Sequence, residues 1–359
     1  MTQHLPAEQN RVGGGWVRED VTPHEASWRR AMPPPVVREL IAAAAKSGDQ
    51  KAGGTQPALP LQVLPASKAL ATHIRKELRT GFGFTVLTGF PVDEDPSLVE
   101  RAYLLFGRLL GRPVSQNRWG DLIGRVEDVR LPRGGGKKRG YTGSDSLSFH
   151  ADRTDVVTLL CIRQAAAGGV SRLASVPAVH NVMLDESPES WAELCRPLPN
   201  DLRGEAFPGF SDWHGIPVFS MAGSSLVMRY LRIFIEKSQR YPDAPGITPD
   251  QRRAMDRLDA ILARPEMSVE MTLAPGDVQV IDNFRTLHAR TAFVDSPGAG
   301  TRLLLRLWLA SADSPELPAA YRPLYGATRA GSFRGGVWPA GVTPDQLGEP
   351  LRSPAGAEE

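Results

Sequence analysis

Between Thr301 and Leu309 the chain alternates with a period of two. Arg302, Leu304, Arg306 and Trp308 fall on one side of an extended run, and Leu303, Leu305, Leu307 and Leu309 on the other. Upstream, apolar positions recur at helical spacing over residues 36–45, 66–79 and 97–110, with a strand predicted at 82–87. Beyond residue 150 the signals shorten. Strands are predicted at 156–162, 171–176, 217–220, 225–231, 277–281 and 302–309. Two helical stretches interrupt them, 178–195 (broken at Pro188) and 249–263. Helices first and short strands later, without regular alternation, predict a mainly β fold with flanking helices: a β-barrel or jelly-roll core in the α+β class.

Glycine, proline and charge dominate residues 1–60, which read as a partly irregular N-terminal extension draped over the body. Residues 61–330 form the expected single domain, and 331–359 an irregular C-terminal tail. Hydrophobic residues make up 41% and charged residues 23%, enough to bury a sizeable core. A formal net charge of +2 argues against a nucleic-acid surface. No run approaches the roughly 18 apolar residues of a spanning helix, and the N-terminus opens no apolar run, so neither membrane nor secretion is expected. Two cysteines, Cys161 and Cys195, give neither a disulfide framework nor a zinc knuckle and suit a reducing cytoplasm. Oligomeric state stays open.

The alternating strand raises a chemical question. An arginine is always charged, and burying it unpaired costs several kcal/mol, so Arg302 and Arg306 each need an anion. A protein carboxylate is the ordinary partner. Ligand carboxylates become the sharper reading because a candidate metal site lies nearby. His150 and Asp152, two apart, share a face if the segment is extended. With seven histidines and 40 acidic residues in 359 positions, about one such match arises by chance. His288, after a strand-like run and before a small turn, is the best third ligand. Two imidazoles and one carboxylate can hold Fe(II) on one face with open positions, though the same set also binds zinc. His180 and His214 read as core or surface histidines. The basic segment 133–139 lacks the order of a phosphate loop and reads as a solvated loop, with a lid over the site as the sharper alternative.

Taken in order, several motifs resemble the TauD/TfdA branch of the Fe(II)/2-oxoglutarate-dependent dioxygenases, a group related to clavaminate synthase. They are Leu147-Ser148-Phe149-His150-Ala151-Asp152-Arg153, Ala167-Gly168-Gly169-Val170-Ser171, Ala274-Pro275-Gly276-Asp277 and Asp282-Asn283-Phe284-Arg285-Thr286-Leu287-His288-Ala289-Arg290, closed by the arginine strand. The resemblance spans about residues 80–330. It implies a double-stranded β-helix (jelly-roll) core, with His150, Asp152 and His288 on iron. Arg302, fourteen residues after His288, resembles the partner of the far carboxylate of 2-oxoglutarate. Ser171 stands where the family usually has a threonine on that carboxylate. Arg306 is similar to an arginine that in some members meets an anionic substrate group, and Ser146 to a polar substrate-binding position.

The cofactors so implied are Fe(II), the cosubstrate 2-oxoglutarate and O2. Asp152 occupies the place where halogenating relatives carry a small residue, so oxygen insertion into a small molecule is expected: an amino acid or a natural-product intermediate, with succinate and CO2 released. Desaturation, epoxidation and ring closure lie within reach of the same oxidant. The alternatives are a non-turnover sensor on the same fold and a metal hydrolase, which would give Arg302 no dedicated role.

Overall fold

The computed structural model describes residues 11–47, 64–129, 140–296 and 300–351. In it the strand Leu303–Ala310, buried along its whole length, divides two packing environments. Leu303, Leu305, Leu307 and Leu309 pack against the buried faces of the helices Pro34–Lys46, Pro65–Thr80 and Pro96–Leu110. Leu304, Trp308 and Ala310 face the other way, toward Leu173, Val269 and Met271 of the opposing sheet. The period-two pattern is thus a boundary between an outer helical layer and the barrel interior.

A seven-stranded sheet runs in the order Arg29–Ala31, Phe84–Thr88, Val278–Asp282, Val156–Arg163, Leu303–Ala310 and Arg112–Pro113, with Ile123–Val126 also on Leu303–Ala310. Facing it is a four-stranded sheet, Val269–Met271, Ser171–Ser175, Thr286–Arg290 and Leu147–His150. All of these pairings are antiparallel except that of Arg29–Ala31 with Phe84–Thr88. This is the jelly-roll core. Behind the small sheet, Leu287, Ala289 and Ala174 pack on the helices Val176–Glu186, Pro188–Leu194 and Pro249–Leu262. Pro188 starts a new helix instead of continuing the old one, because its ring removes a backbone donor. Asp95 caps Pro96–Leu110 through Ser97 and Leu98 amides, a contact worth about 1 kcal/mol.

Part of the N-terminal segment enters the core. Trp16, Val21 and Trp28 are buried beside Phe84, and the Trp16 indole donates to the Phe82 carbonyl at 2.7 Å. Near the other end Phe333 and Val337 are buried, and Arg334 donates to Asp155 at 2.9 Å. The basic segment 133–139, with the lid reading attached to it, lies outside the described residues. Among those described, no helix is long and apolar enough to cross a membrane.

Several strands lie outside the sequence expectation, among them Ile123–Val126, Leu198–Asp201, Trp213–Ile216, Val269–Met271 and Thr286–Arg290. His288 sits within Thr286–Arg290, and the small turn lies before it, at 283–285, where the sequence expectation places the turn after it. Thr286, His288 and Arg290 point inward, so the inner face carries only polar groups and the usual apolar-inward signal is absent. Leu287 and Ala289, the apolar positions, face the helices behind.

Candidate active site

His150 ends the strand Leu147–His150 and stands directly opposite His288 on Thr286–Arg290. The register shifts between His288 and Arg290, which fits an extra residue on the first strand and turns His150 toward its partner. Their ring centroids are 4.2 Å apart. Asp152 lies just past the strand end, its Oδ1 3.8 Å from His150 Nε2 and its Oδ2 3.6 Å from His288 Nε2. One ligand atom from each residue lies within 4.8 Å of the others, spacing that a single small cation can bridge. Sequence spacing alone brought His150 and Asp152 together; the sheet brings His288.

Backbone clamps fix the carboxylate. Asp152 N–H donates to Asn283 Oδ1 at 3.0 Å, while Asn283 Nδ2 donates back to the Asp152 and Thr154 carbonyls at 2.8 and 2.7 Å. Tyr325 OH donates to the same Asp152 carbonyl at 3.2 Å. On the side chain, Trp308 Nε1 donates to Oδ2 at 2.8 Å and Arg306 Nη1 at 3.2 Å. Burial alone would raise the Asp152 pKa. The Arg306 guanidinium and then His288 outweigh it and hold the carboxyl below its ordinary range, so the group is anionic.

The imidazoles suit a metal as well. His150 Nδ1 lies 2.8 Å from the Ser148 carbonyl, which only accepts, so Nδ1 carries the proton and Nε2 keeps its lone pair. Burial first, and the neighbouring His288 second, push the His150 pKa down to about 3, leaving the ring neutral. An anionic carboxylate with two imidazoles fits Fe(II). His180 and His214 lie elsewhere; the first is packed between Trp191 and Phe219.

The triad opens into a cavity of about 1210 Å³ whose walls include Ser146, Ser171, Arg229, Arg290, Arg302 and Arg306. Arg302 is only 6% exposed, and its Nη1 is buried without a partner among the described residues. Gly169 lies beneath it at φ +69°; a Cβ there would sit 2.8 Å from Arg302 Nε, so glycine meets both the backbone shape and the close approach. Ser171 Oγ and the Gln279 amide lie 3.2 and 3.1 Å apart (Oε1 and Nε2). Arg306 has a protein carboxylate, that of Asp152, as its anionic partner. Beyond Asp152, its Nε donates to Gln116 Oε1 at 2.8 Å, and Gln116 Nε2 returns a bond to the Arg306 carbonyl at 2.7 Å. Ser146 is exposed at the rim. Sequence reasoning missed Asn283, Gln116, Gln279 and Arg290 as parts of the site. Only Trp308 was signalled, by sharing the face of Arg306.

Residues 54–308 match the family model described as taurine catabolism dioxygenase TauD, TfdA family. The chain belongs to the TauD/TfdA family. FR-33289 synthase of Streptomyces rubellomurinus is 31% identical over 316 residues, covering 85% of this chain and 91% of that protein. A taurine hydroxylase-like protein, SAT17, of Stachybotrys chartarum is 29% identical over 47% of this chain and 44% of its own length. Among solved structures, asparagine oxygenase in complex with Fe(II), 2S,3S-3-hydroxyasparagine and succinate superposes with a TM-score of 0.57 at 21% identity, covering 79% of this chain and 93% of that one. The non-heme iron oxygenase OrfP, in complex with Fe and alpha-ketoglutaric acid, gives 0.56 at 19% identity with the same coverage. At such identities these structures show the fold. With family membership the protein is a dioxygenase, an oxidoreductase whose cofactors are Fe(II) and 2-oxoglutarate.

Proposed function

We propose that this TauD/TfdA protein hydroxylates an unactivated C–H bond of a small molecule, an amino acid or a natural-product intermediate. In this reading His150, Asp152 and His288 hold the iron, Arg302 and Ser171 fix the far carboxylate of 2-oxoglutarate, and Arg306 and Ser146 lie on the substrate side. The observation that carries it is the meeting, in one cavity, of the two-histidine, one-carboxylate set with the buried Nη1 of Arg302, unpartnered among the described residues. The substrate class follows from FR-33289 synthase, and from the hydroxyasparagine and (3S)-hydroxy-L-Arg held by asparagine oxygenase and OrfP.

Bound iron supplies O2 activation coupled to conversion of 2-oxoglutarate into succinate and CO2. The chain's own residues prepare for that chemistry. Trp308 and Arg306 aim the Asp152 carboxylate, and the Ser148 carbonyl selects the His150 tautomer. Arg302 supplies a desolvated cation for the cosubstrate and orients it toward the triad. The cation-rich wall favours a substrate bearing an anionic group. A hydrolase would leave Arg302 idle, and no feature of the site favours a non-turnover sensor.

The test is an anaerobic spectrum of the Fe(II) protein with 2-oxoglutarate. A metal-to-ligand charge-transfer band is expected, and its shift then screens candidate substrates. Iron bound without such a band would overturn the reading.

A further inference from the structure

A second arginine faces the corner of the cavity that Arg302 occupies. Alternation along Thr286–Arg290 turns Arg290 inward with His288, and the register sets it directly across from Ser171. Arg290 is 7% exposed, and its Nε and Nη1 are buried without partners among the described residues. Both guanidiniums lie over the Phe293 ring, 4.7 Å from its centroid for Arg290 and 5.1 Å for Arg302. Neither forms an ion pair among the described residues; Asp128 and Asp145 act on Arg290 only at a distance, as Asp295 does on Arg302. Two like charges with idle N–H groups in a desolvated corner repel each other until an anion sits between them.

The remaining nitrogen of Arg290 is occupied. Its Nη2 donates to the Gly143 and Asp145 carbonyls at 2.8 and 2.5 Å. Ser146, at the rim of the same cavity, is the next residue along. One guanidinium therefore joins the anion corner to the segment that leads into the substrate side.

We propose that Arg290 is a second guanidinium ligand of the far carboxylate of 2-oxoglutarate, and that its occupancy fastens residues 143–146 before substrate enters. The proposal rests on the cosubstrate reading above. A carboxylate presents about four lone-pair sites, enough for Arg302, Arg290 and the Ser171 hydroxyl together. With the cosubstrate seated, Arg290 loses its uncompensated charge, and its two carbonyl bonds hold the segment against a fixed anchor. A purely structural Arg290 would instead hold the segment equally well with or without the cosubstrate.

The experiment is an anaerobic titration of the Fe(II) protein, wild type, Arg290→Gln and Arg290→Lys, followed by the charge-transfer band. Two ligands are compared: 2-oxoglutarate, and 2-oxobutyrate, which chelates alike but lacks the far carboxylate. Arg290→Gln is expected to weaken 2-oxoglutarate roughly tenfold or more, as for loss of a charge-assisted bond. Its affinity for 2-oxobutyrate should stay at the wild-type level, and Arg290→Lys should fall between. Wild-type affinity for 2-oxoglutarate in Arg290→Gln, or an equal loss for both ligands, overturns the proposal. A wild-type protein that binds iron but shows no band overturns the cosubstrate reading itself. Amide hydrogen exchange on the wild-type holoprotein needs no variant: 2-oxoglutarate, but not 2-oxobutyrate, should slow exchange over residues 140–147. Equal protection by both, or none, overturns the coupling.

Discussion

Trp308 donates its indole N–H to Asp152 Oδ2 at 2.8 Å, so a residue of the large sheet aims a carboxylate set beside the small one. Groups that orient a metal ligand typically matter tenfold to a hundredfold in metal affinity. Trp308→Phe keeps the ring and removes the donor. It should weaken Fe(II) binding by about that factor while leaving the thermal midpoint close to wild type. Anaerobic metal titration checks it; undiminished affinity would remove Trp308 from the metal site.

Asp152→Ala removes the only carboxylate of the ligand set. Iron binding should fall sharply, and 2-oxoglutarate consumption should drop to background in a succinate-release assay. Full turnover in this variant would reject the triad.

Arg302→Ala should act on the cosubstrate and spare the metal. Loss of a desolvated charged partner costs on the order of 2–5 kcal/mol, so the 2-oxoglutarate Kd should rise at least thirtyfold by the usual conversion. Isothermal titration of the metal-loaded protein reads this directly. Gly169→Ala should give a smaller loss of the same kind, because its Cβ would push on Arg302 Nε from 2.8 Å and the backbone stands at φ +69°.

Acid should destabilise the metal-free protein. Burial holds His150 near 3 in the fold, below its ordinary 6.5. The unfolded chain therefore takes up a proton at this residue as pH falls through 6.5, while the folded chain does not, and stability drops from there toward 3. Asp152 is shifted below its ordinary 3.8, so its contribution is lost only at still lower pH. Thermal midpoints between pH 7 and 4.5 should fall less steeply in His150→Asn than in wild type. Parallel slopes would show that His150 is not the group responsible.

Local patterns exposed much of this in advance. Alternation at 302–309 separated the leucines that meet the helices from the side chains that meet the site, because each face packs on one environment. The outer helices were legible for the same reason. Thr286–Arg290 was not, since its inward face is wholly polar and its apolar positions are short. Asn283 and Gln116 act on residues 131 and 190 positions away, and no local spacing encodes such a contact. Arg306 was legible as a buried cation; its bonds to Asp152 and Gln116 depend on strands that only tertiary pairing aligns.

Asn283 also ties iron loading to the order of synthesis. It clamps the Asp152 backbone from 131 residues away, beside the strand that supplies His288. A chain emerging from the ribosome presents His150 and Asp152 long before His288 exists, so the growing chain carries at most two of the three proposed iron ligands. In the proposed reading, then, iron meets its complete ligand set only once the second half of the chain has docked, and metal loading should follow folding.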